Sequence, residues 1–370
     1  MFPYIIDVAL TAWISSAIVN RYDYNGIAQY QNRRKKIMLL GLILFIWVLL
    51  FAFRGKTGSD TAGYYGGYKT IYNDSLSLDF LLNNYRDKLY QVVVWVLSNT
   101  FHGSWFWGSF VVGIIIYFPV LYVIEKKSLD VNFSCLIYLS TLLAFFCFNG
   151  LRQGLSISFT FVAYYCALRE KKYIRYAIFM AIAYGFHAAA LLIIPFHLIS
   201  LKKLKSISTI ILLLVAFVMS FFLINVWGDV IGFFKGDNLV SDYKDVFVNA
   251  HGSSIIRALF WAIPSIVAIF NYSRIKKHFS DIDHDIIMGI FGVVFMIYSM
   301  QSVSFSQMAP YFTITSVIMF PKIVFSFDSE RRKNIKVLTI IVCLGYMLFL
   351  LWNGDLGINP YIPMWESGAY

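Results

Sequence analysis

Residues 37–53 form an unbroken apolar run, closed at one end by Arg33, Arg34, Lys35 and Lys36 and at the other by Arg54. A run of this length and composition suits the hydrocarbon of a bilayer. Comparable runs recur at 4–19, 105–124, 133–148, 154–168, 207–226, 255–272, 286–302, 308–325 and 335–352. Lipid tolerates only helices or closed barrels, and continuous apolar runs lack the alternation a barrel needs. The chain is 59% hydrophobic and 14% charged, whereas soluble domains carry about 25% charged residues. The expectation is an all-α polytopic membrane protein with about 10–12 transmembrane or re-entrant helices. It should form a single integral membrane domain over residues 1–370.

Charge orients these spans. The net charge is +11, but the Lys and Arg fall in short clusters between apolar runs, as the positive-inside rule expects. Nucleic acid is therefore not an expected partner, and membrane lipids are. Arg21 and 33–36, Lys126-Lys127, Arg169 to Arg175, Lys202 to Lys205, Arg274 to Lys277 and Arg331 to Lys333 define one face. Arg54 and Arg152 then lie on the other. Two long external loops are expected at about 54–104 and 227–254, with 89–101 as an interfacial or re-entrant helix. Residues 173–200 begin and end beside basic clusters, which suits two short helices with an apex near His187. The first run lacks a basic leader and a small-residue cleavage site, so it reads as a retained helix. Cys135, Cys147, Cys166 and Cys343 sit inside apolar runs without ligand spacing and read as packing residues.

Polar residues at the external face need explaining. Arg54 to Tyr68 contains a guanidinium (Arg54), a carboxylate (Asp60), five glycines and three tyrosines just where the chain leaves the hydrocarbon. Glycines let backbone approach a ligand closely. A guanidinium fork matches phosphate oxygens, and Tyr64 and Tyr68 offer flat faces with a polar edge to a sugar ring. Arg152 opens a span after a very short turn, Asn149-Gly150, which holds it near the membrane; snorkelling to headgroups is its plainer role. His187 lies in an apolar setting where a packing histidine is common. With an unperturbed pKa of about 6.5 it could also serve as a general base. Intramembrane ionisable groups generally mark substrate paths or water-filled cavities. Two arginines at one mouth suit a dianion such as a lipid diphosphate.

Other signals are weaker. His197 adjoins a basic cluster, and His102 and His251 sit in loops without a positioned partner. Asp281-Ile282-Asp283 matches the D-x-D of some metal-dependent glycosyltransferases, yet it stands at the start of a span, where acids favour the helix N-terminus. No H-E-x-x-H, P-loop or G-x-S-x-G is present, so metalloprotease, ATPase and hydrolase readings lack their motifs.

Arg54…Gly58-Ser59-Asp60…Tyr64 after a span resembles the R-x-x-x-G-x-D-x-x-x-Y segment of the EpsG-like branch of bacterial polysaccharide polymerases, the Wzy group. Arg152-Gln153 opening a span resembles the family's R-Q, and Phe186-His187 with Pro195 resembles its F-H…P stretch. The likeness covers residues 37–200 best. One departure is the late span: the family often carries an Arg shortly before a Tyr-Phe pair, but 302–310 before Tyr311-Phe312 has none.

The resemblance implies a GT-C-like helical bundle with periplasmic loops in the bacterial inner membrane. Its activity would be metal-independent and cofactor-free polymerisation of undecaprenyl-diphosphate-linked oligosaccharide repeat units for O-antigen, capsule or exopolysaccharide. Arg54 and Arg152 would bind the diphosphate, and His187 or Asp60 would take the proton from the attacking hydroxyl. Gln153, Tyr64 and Tyr68 would orient sugars, and a chain-length regulator is an expected partner. The competing readings are a lipid-linked oligosaccharide flippase, an O-antigen ligase-type glycosyltransferase, or a membrane subunit without chemistry. A flippase would spread its cations through the midplane of two similar halves.

Overall fold

The computed structural model describes residues 1–19, 32–203, 254–300 and 303–366. Within them the chain is helical, without strands, in accord with an all-α polytopic protein. The run at 207–226 and almost all of the loop at 227–254, including His251, lie outside the described residues. Two compact units are present: 1–192 with 327–370, and 193–326.

In the first unit α1 (Phe2–Ser16) packs on α2 (Arg33–Ala52) and α7 (Val131–Ser140), and α2 packs on α6 (Trp105–Lys127). α8 (Leu151–Cys166) lies between α6 and α9 (Tyr173–Phe186). Three small helices, α3 (Thr61–Asn73), α4 (Leu78–Asn84) and α5 (Lys88–Thr100), fill the expected external loop. Among the described residues, three helices are long and apolar enough to cross a membrane: α2, α6 and Ser329–Trp352. Two bent pairs raise that to five if each counts as one span. At 1.5 Å per residue those three are roughly 30–36 Å long, matching the hydrocarbon core.

Local chemistry sets the helix ends. Asn32 caps α2, its Oδ1 accepting from the Arg34 amide at 2.9 Å. Asp130 caps α7 through the Phe133 amide at 2.9 Å, and its other oxygen takes Lys336. The run at 133–148, which reads as one span, breaks instead. Ser140 and Thr141 bond back to the carbonyls of Leu136 and Ile137, a habit that bends helices. Leu142 then turns left-handed at φ 59°. The freed carbonyls are not left bare: Ala144 O accepts the Tyr117 hydroxyl at 2.9 Å, and Phe148 O accepts Thr61 Oγ1 at 2.7 Å. Irregular backbone at membrane depth requires such internal partners.

The unit has two distinct polar faces. On one, Lys36 pairs with Glu125 at 2.8 Å, Lys127 with Glu170 at 2.6 Å, and Asn132 donates to Ser15 Oγ at 2.8 Å. On the other, the Tyr4 hydroxyl donates to Ile358 O at 2.6 Å and Trp105 Nε1 to Arg54 O at 3.1 Å. Within this unit Lys36, Lys126 and Lys127 thus lie at one end of α2 and α6 with their acids, and Arg54 lies just past the opposite end of α2.

The second unit contains α10's greater part (Ala190–Ser200), α11 (Ile255–Phe270), α12 (Tyr272–His278) and α13 (Ile282–Tyr298), followed by short helices to Phe325. Phe196 packs edge-on against Phe291, Phe295 and Phe312. The acidic run at α13 is tied up locally. Lys322, itself 6% exposed, reaches Asp285 at 2.7 Å and Asp281 at 3.0 Å. Asp283 takes Lys276 and the Tyr272 hydroxyl.

Candidate functional site

The loop leaving α2 is held on two sides. Ser59 Oγ and the Asp60 amide both donate to Asn149 Oδ1, at 2.6 and 2.9 Å. Thr61 Oγ1 donates to Phe148 O. From the other side the late segment of the chain lies along it. Gly55 N donates to Ile362 O at 2.8 Å, Gly58 N to Gly357 O at 3.0 Å, and Met364 N to Phe53 O at 2.9 Å. Arg54 forms an antiparallel bridge with Pro363. Gly58 is required here: its φ is +98°, and a Cβ would stand 2.6 Å from Phe148 O.

This double cover buries Arg54 completely, at 0% exposure. Its guanidinium carbon lies 3.5 Å from the centre of the Phe51 ring, with Trp105 and Phe148 at 5.3 and 5.4 Å. Nη1 donates to Phe51 O at 2.7 Å, while Nε and Nη2 find no hydrogen-bond partner among the described residues. Burial draws its pKa down to about 10, so it stays cationic at neutral pH. An aromatic box stabilises such a charge in part through the ring faces. Arg54 is therefore a buried cation, not a surface one.

Arg152 is the surface cation. It stands in the first turn of α8, where free amides and the helix dipole already favour an anion. Its side chain is 37% exposed, and Nη1 donates to Asp87 Oδ2 at 2.7 Å. The Tyr64 hydroxyl lies within reach of the same guanidinium, and the Tyr64 ring meets Tyr90 edge-on at 6.1 Å. The Tyr90 hydroxyl is buried and interacts electrostatically with both Arg152 and Arg54.

The remaining predicted residues divide between surface and interior. Asp60 is exposed and caps no backbone amide of α3 with its side chain. Asn149, three residues before Arg152, brings it to the start of α8. His187 is half-buried in the break after α9, where Nδ1 accepts the Ala189 amide at 3.3 Å. Gly185 presses on Leu89, a Cβ there falling 2.7 Å from the Leu89 Cβ, which sets this break beside the start of α5 and Asp87. Tyr68 and Gln153 point inward instead, at 5% and 4% exposure. Tyr68 packs on Trp105 at 5.8 Å and against Gly108, with its hydroxyl buried and without a hydrogen-bond partner among the described residues.

Asp87, Tyr90 and the 355–364 segment are additions that the sequence reading passes over. Asp87 sits between Arg86 and Lys88 without a motif. Its one signal is an acid on the same face as a predicted arginine.

A model of the EpsG family matches residues 36–363. The chain belongs to the EpsG family. The match runs from the first turn of α2 to Pro363, so it takes in both the Arg54 loop and the segment that covers it. No curated protein and no solved structure matches the chain. As an EpsG-family member it is a membrane protein of polysaccharide biosynthesis, of a glycosyltransferase-like polymerase kind.

Proposed function

We propose that this EpsG-family protein polymerises oligosaccharide repeat units carried on undecaprenyl diphosphate, at the periplasmic face of the bacterial inner membrane. The observation that carries this reading is the part-exposed Arg152 at the N-terminus of α8, held by Asp87. A lipid diphosphate leaving group needs positive charge at the membrane surface, aimed where negative charge develops.

The acceptor hydroxyl oxygen forms a bond to the anomeric carbon of the donor sugar as that carbon's bond to the diphosphate oxygen breaks. The electron pair departs with the diphosphate, where Arg152 and the first amides of α8 receive it. Arg54 adds a fixed positive potential from behind the aromatic box. The hydroxyl proton passes to His187 or Asp60, the two basic groups that stand near the start of α8 and α5. Tyr64 lines the open side, and Tyr68 and Gln153 support it from the interior. The donor is already activated, so the reaction requires neither metal nor cofactor. A chain-length regulator would act as a partner membrane protein.

The test is deletion in the native bacterium, complementation with wild type or Arg152→Ala, and display of surface glycan on a gel. The expected deletion product is glycan capped by one repeat in place of a ladder. Arg152→Ala at normal membrane levels should give the same, with the ladder reduced about 10²–10³-fold. A flippase or ligase would leave no capped product, and a full ladder from Arg152→Ala would remove the site. Turnover by purified protein should persist in chelator.

A further inference from the structure

The basic face of the first unit carries a groove that the polymerase reading does not use. It lies between α2 and α6 and has a volume of about 310 Å³. That is at the lower end of the roughly 300–1,000 Å³ typical of small-ligand sites. Its mouth is cationic: Arg33, Lys36 and Lys126 line it, with Glu125 as the one acid. Lys36 and Lys126 share that carboxylate, at 2.8 and 3.1 Å. Arg33 is exposed and is not needed to neutralise Glu125. The mouth therefore keeps a net positive charge.

Below the mouth the lining turns apolar, with Ile37, Leu40, Leu44, Phe118 and Leu121. From Arg33 to Leu44 is about 16 Å along α2, which is the depth of a hydrocarbon chain in one leaflet rather than of a soluble anion. Gly41 forms part of the wall, and a Cβ on it would meet nothing within 4 Å. The glycine keeps the groove open midway down. Cationic rim and apolar shaft together match a molecule with an anionic head and an aliphatic tail.

We infer that this groove binds an anionic phospholipid, its phosphate against Arg33, Lys36 and Lys126 and one acyl chain along Leu40, Gly41 and Leu44. Positively charged patches at a membrane surface attract acidic lipid. Here the groove adds a shape that holds a single molecule in place.

Native mass spectrometry of the full-length protein, extracted in mild detergent and supplied with phosphatidylglycerol or phosphatidylcholine, tests this. Wild type should retain one phosphatidylglycerol, at least fivefold more than phosphatidylcholine. Arg33→Gln should lower that retention severalfold. Gly41→Leu, which fills the shaft and favours helix, should lower it as far. Gly345→Leu is the control, since it also faces open space but lies on Ser329–Trp352 away from the groove. It should retain lipid as wild type does. Inorganic phosphate at tens of millimolar should not displace the lipid.

Equal retention of both lipids overturns the inference, as does unchanged retention in Gly41→Leu. Displacement by inorganic phosphate also overturns it, because it would leave the apolar shaft without a role.

Discussion

Asp87 closes its carboxylate on Arg152 at 2.7 Å across 65 residues of chain, and it does so from a left-handed backbone at φ 56° and ψ 62°. A non-glycine residue in that region costs roughly 1–3 kcal/mol. Asp87 also forgoes capping α5 with its side chain. Both costs are borne at a residue whose side chain is 8% exposed and pairs with the candidate anion-binding arginine.

Asp87→Gly separates the two roles. Glycine relieves the backbone, so thermal stability should stay within about 1 kcal/mol of wild type. The guanidinium then loses its orienting partner, and the glycan ladder should shorten or weaken about tenfold. Melting in detergent and glycan gels in the complemented deletion strain measure the two outcomes.

Arg54 gives a second separation. Arg54→Ala empties a box lined by Phe51, Trp105 and Phe148 and should cost about 2–5 kcal/mol. Arg54→Met refills it without the charge, and replacing a buried ion by an apolar group is often neutral or stabilising. The expected pattern is an unstable Ala variant and a stable but polymerisation-deficient Met variant. A full ladder from Arg54→Met would reduce this arginine to a packing element.

Two glycines in one loop and helix should behave in opposite ways. Gly58→Ala forces a Cβ against Phe148 O at φ +98°, and should destabilise by about 1–3 kcal/mol or more. Gly63→Ala, within α3 and with nothing nearby, should be neutral or gain about 0.5–1 kcal/mol. Thermal unfolding of both variants checks the pair.

In the second unit Lys322→Met should cost about 3–5 kcal/mol, because Asp285, wholly buried, loses its cation. Adding Asp285→Asn should recover much of that loss. The same double variant should leave the glycan ladder intact, since this cluster serves the unit's stability.

Much of the architecture is legible in hydropathy and charge. Apolar runs mark helices because lipid leaves few alternatives, and lysine clusters mark one face because their ends must find water or acids. Arg152 is legible as a helix-end cation because polar Asn149-Gly150 precedes it and an apolar run follows, and it does stand in the first turn of α8. The break at 141–150 is not, since every residue from Leu142 to Phe148 is apolar. The cause lies in two hydroxyls bonding backward and one left-handed leucine. Tyr68 and Gln153 read as surface groups by type, but their faces of α3 and α8 turn inward, which composition does not encode. Arg54 read as a mouth cation because it ends an apolar run. Its burial depends on Ile362 and Pro363, and contacts at that separation leave no local trace.

Thr57 and Ile362 bond to each other across 305 positions. At roughly 5–20 residues per second of synthesis, the ribosome makes the second partner about 15–60 s after the first. Throughout that interval the guanidinium of Arg54 has its aromatic neighbours but lacks the cover that the 357–364 segment lays over its loop. The mouth is thus finished last, whichever helix is inserted first, and a translation stall or a fusion placed near Ile362 would act on the part of the molecule made earliest.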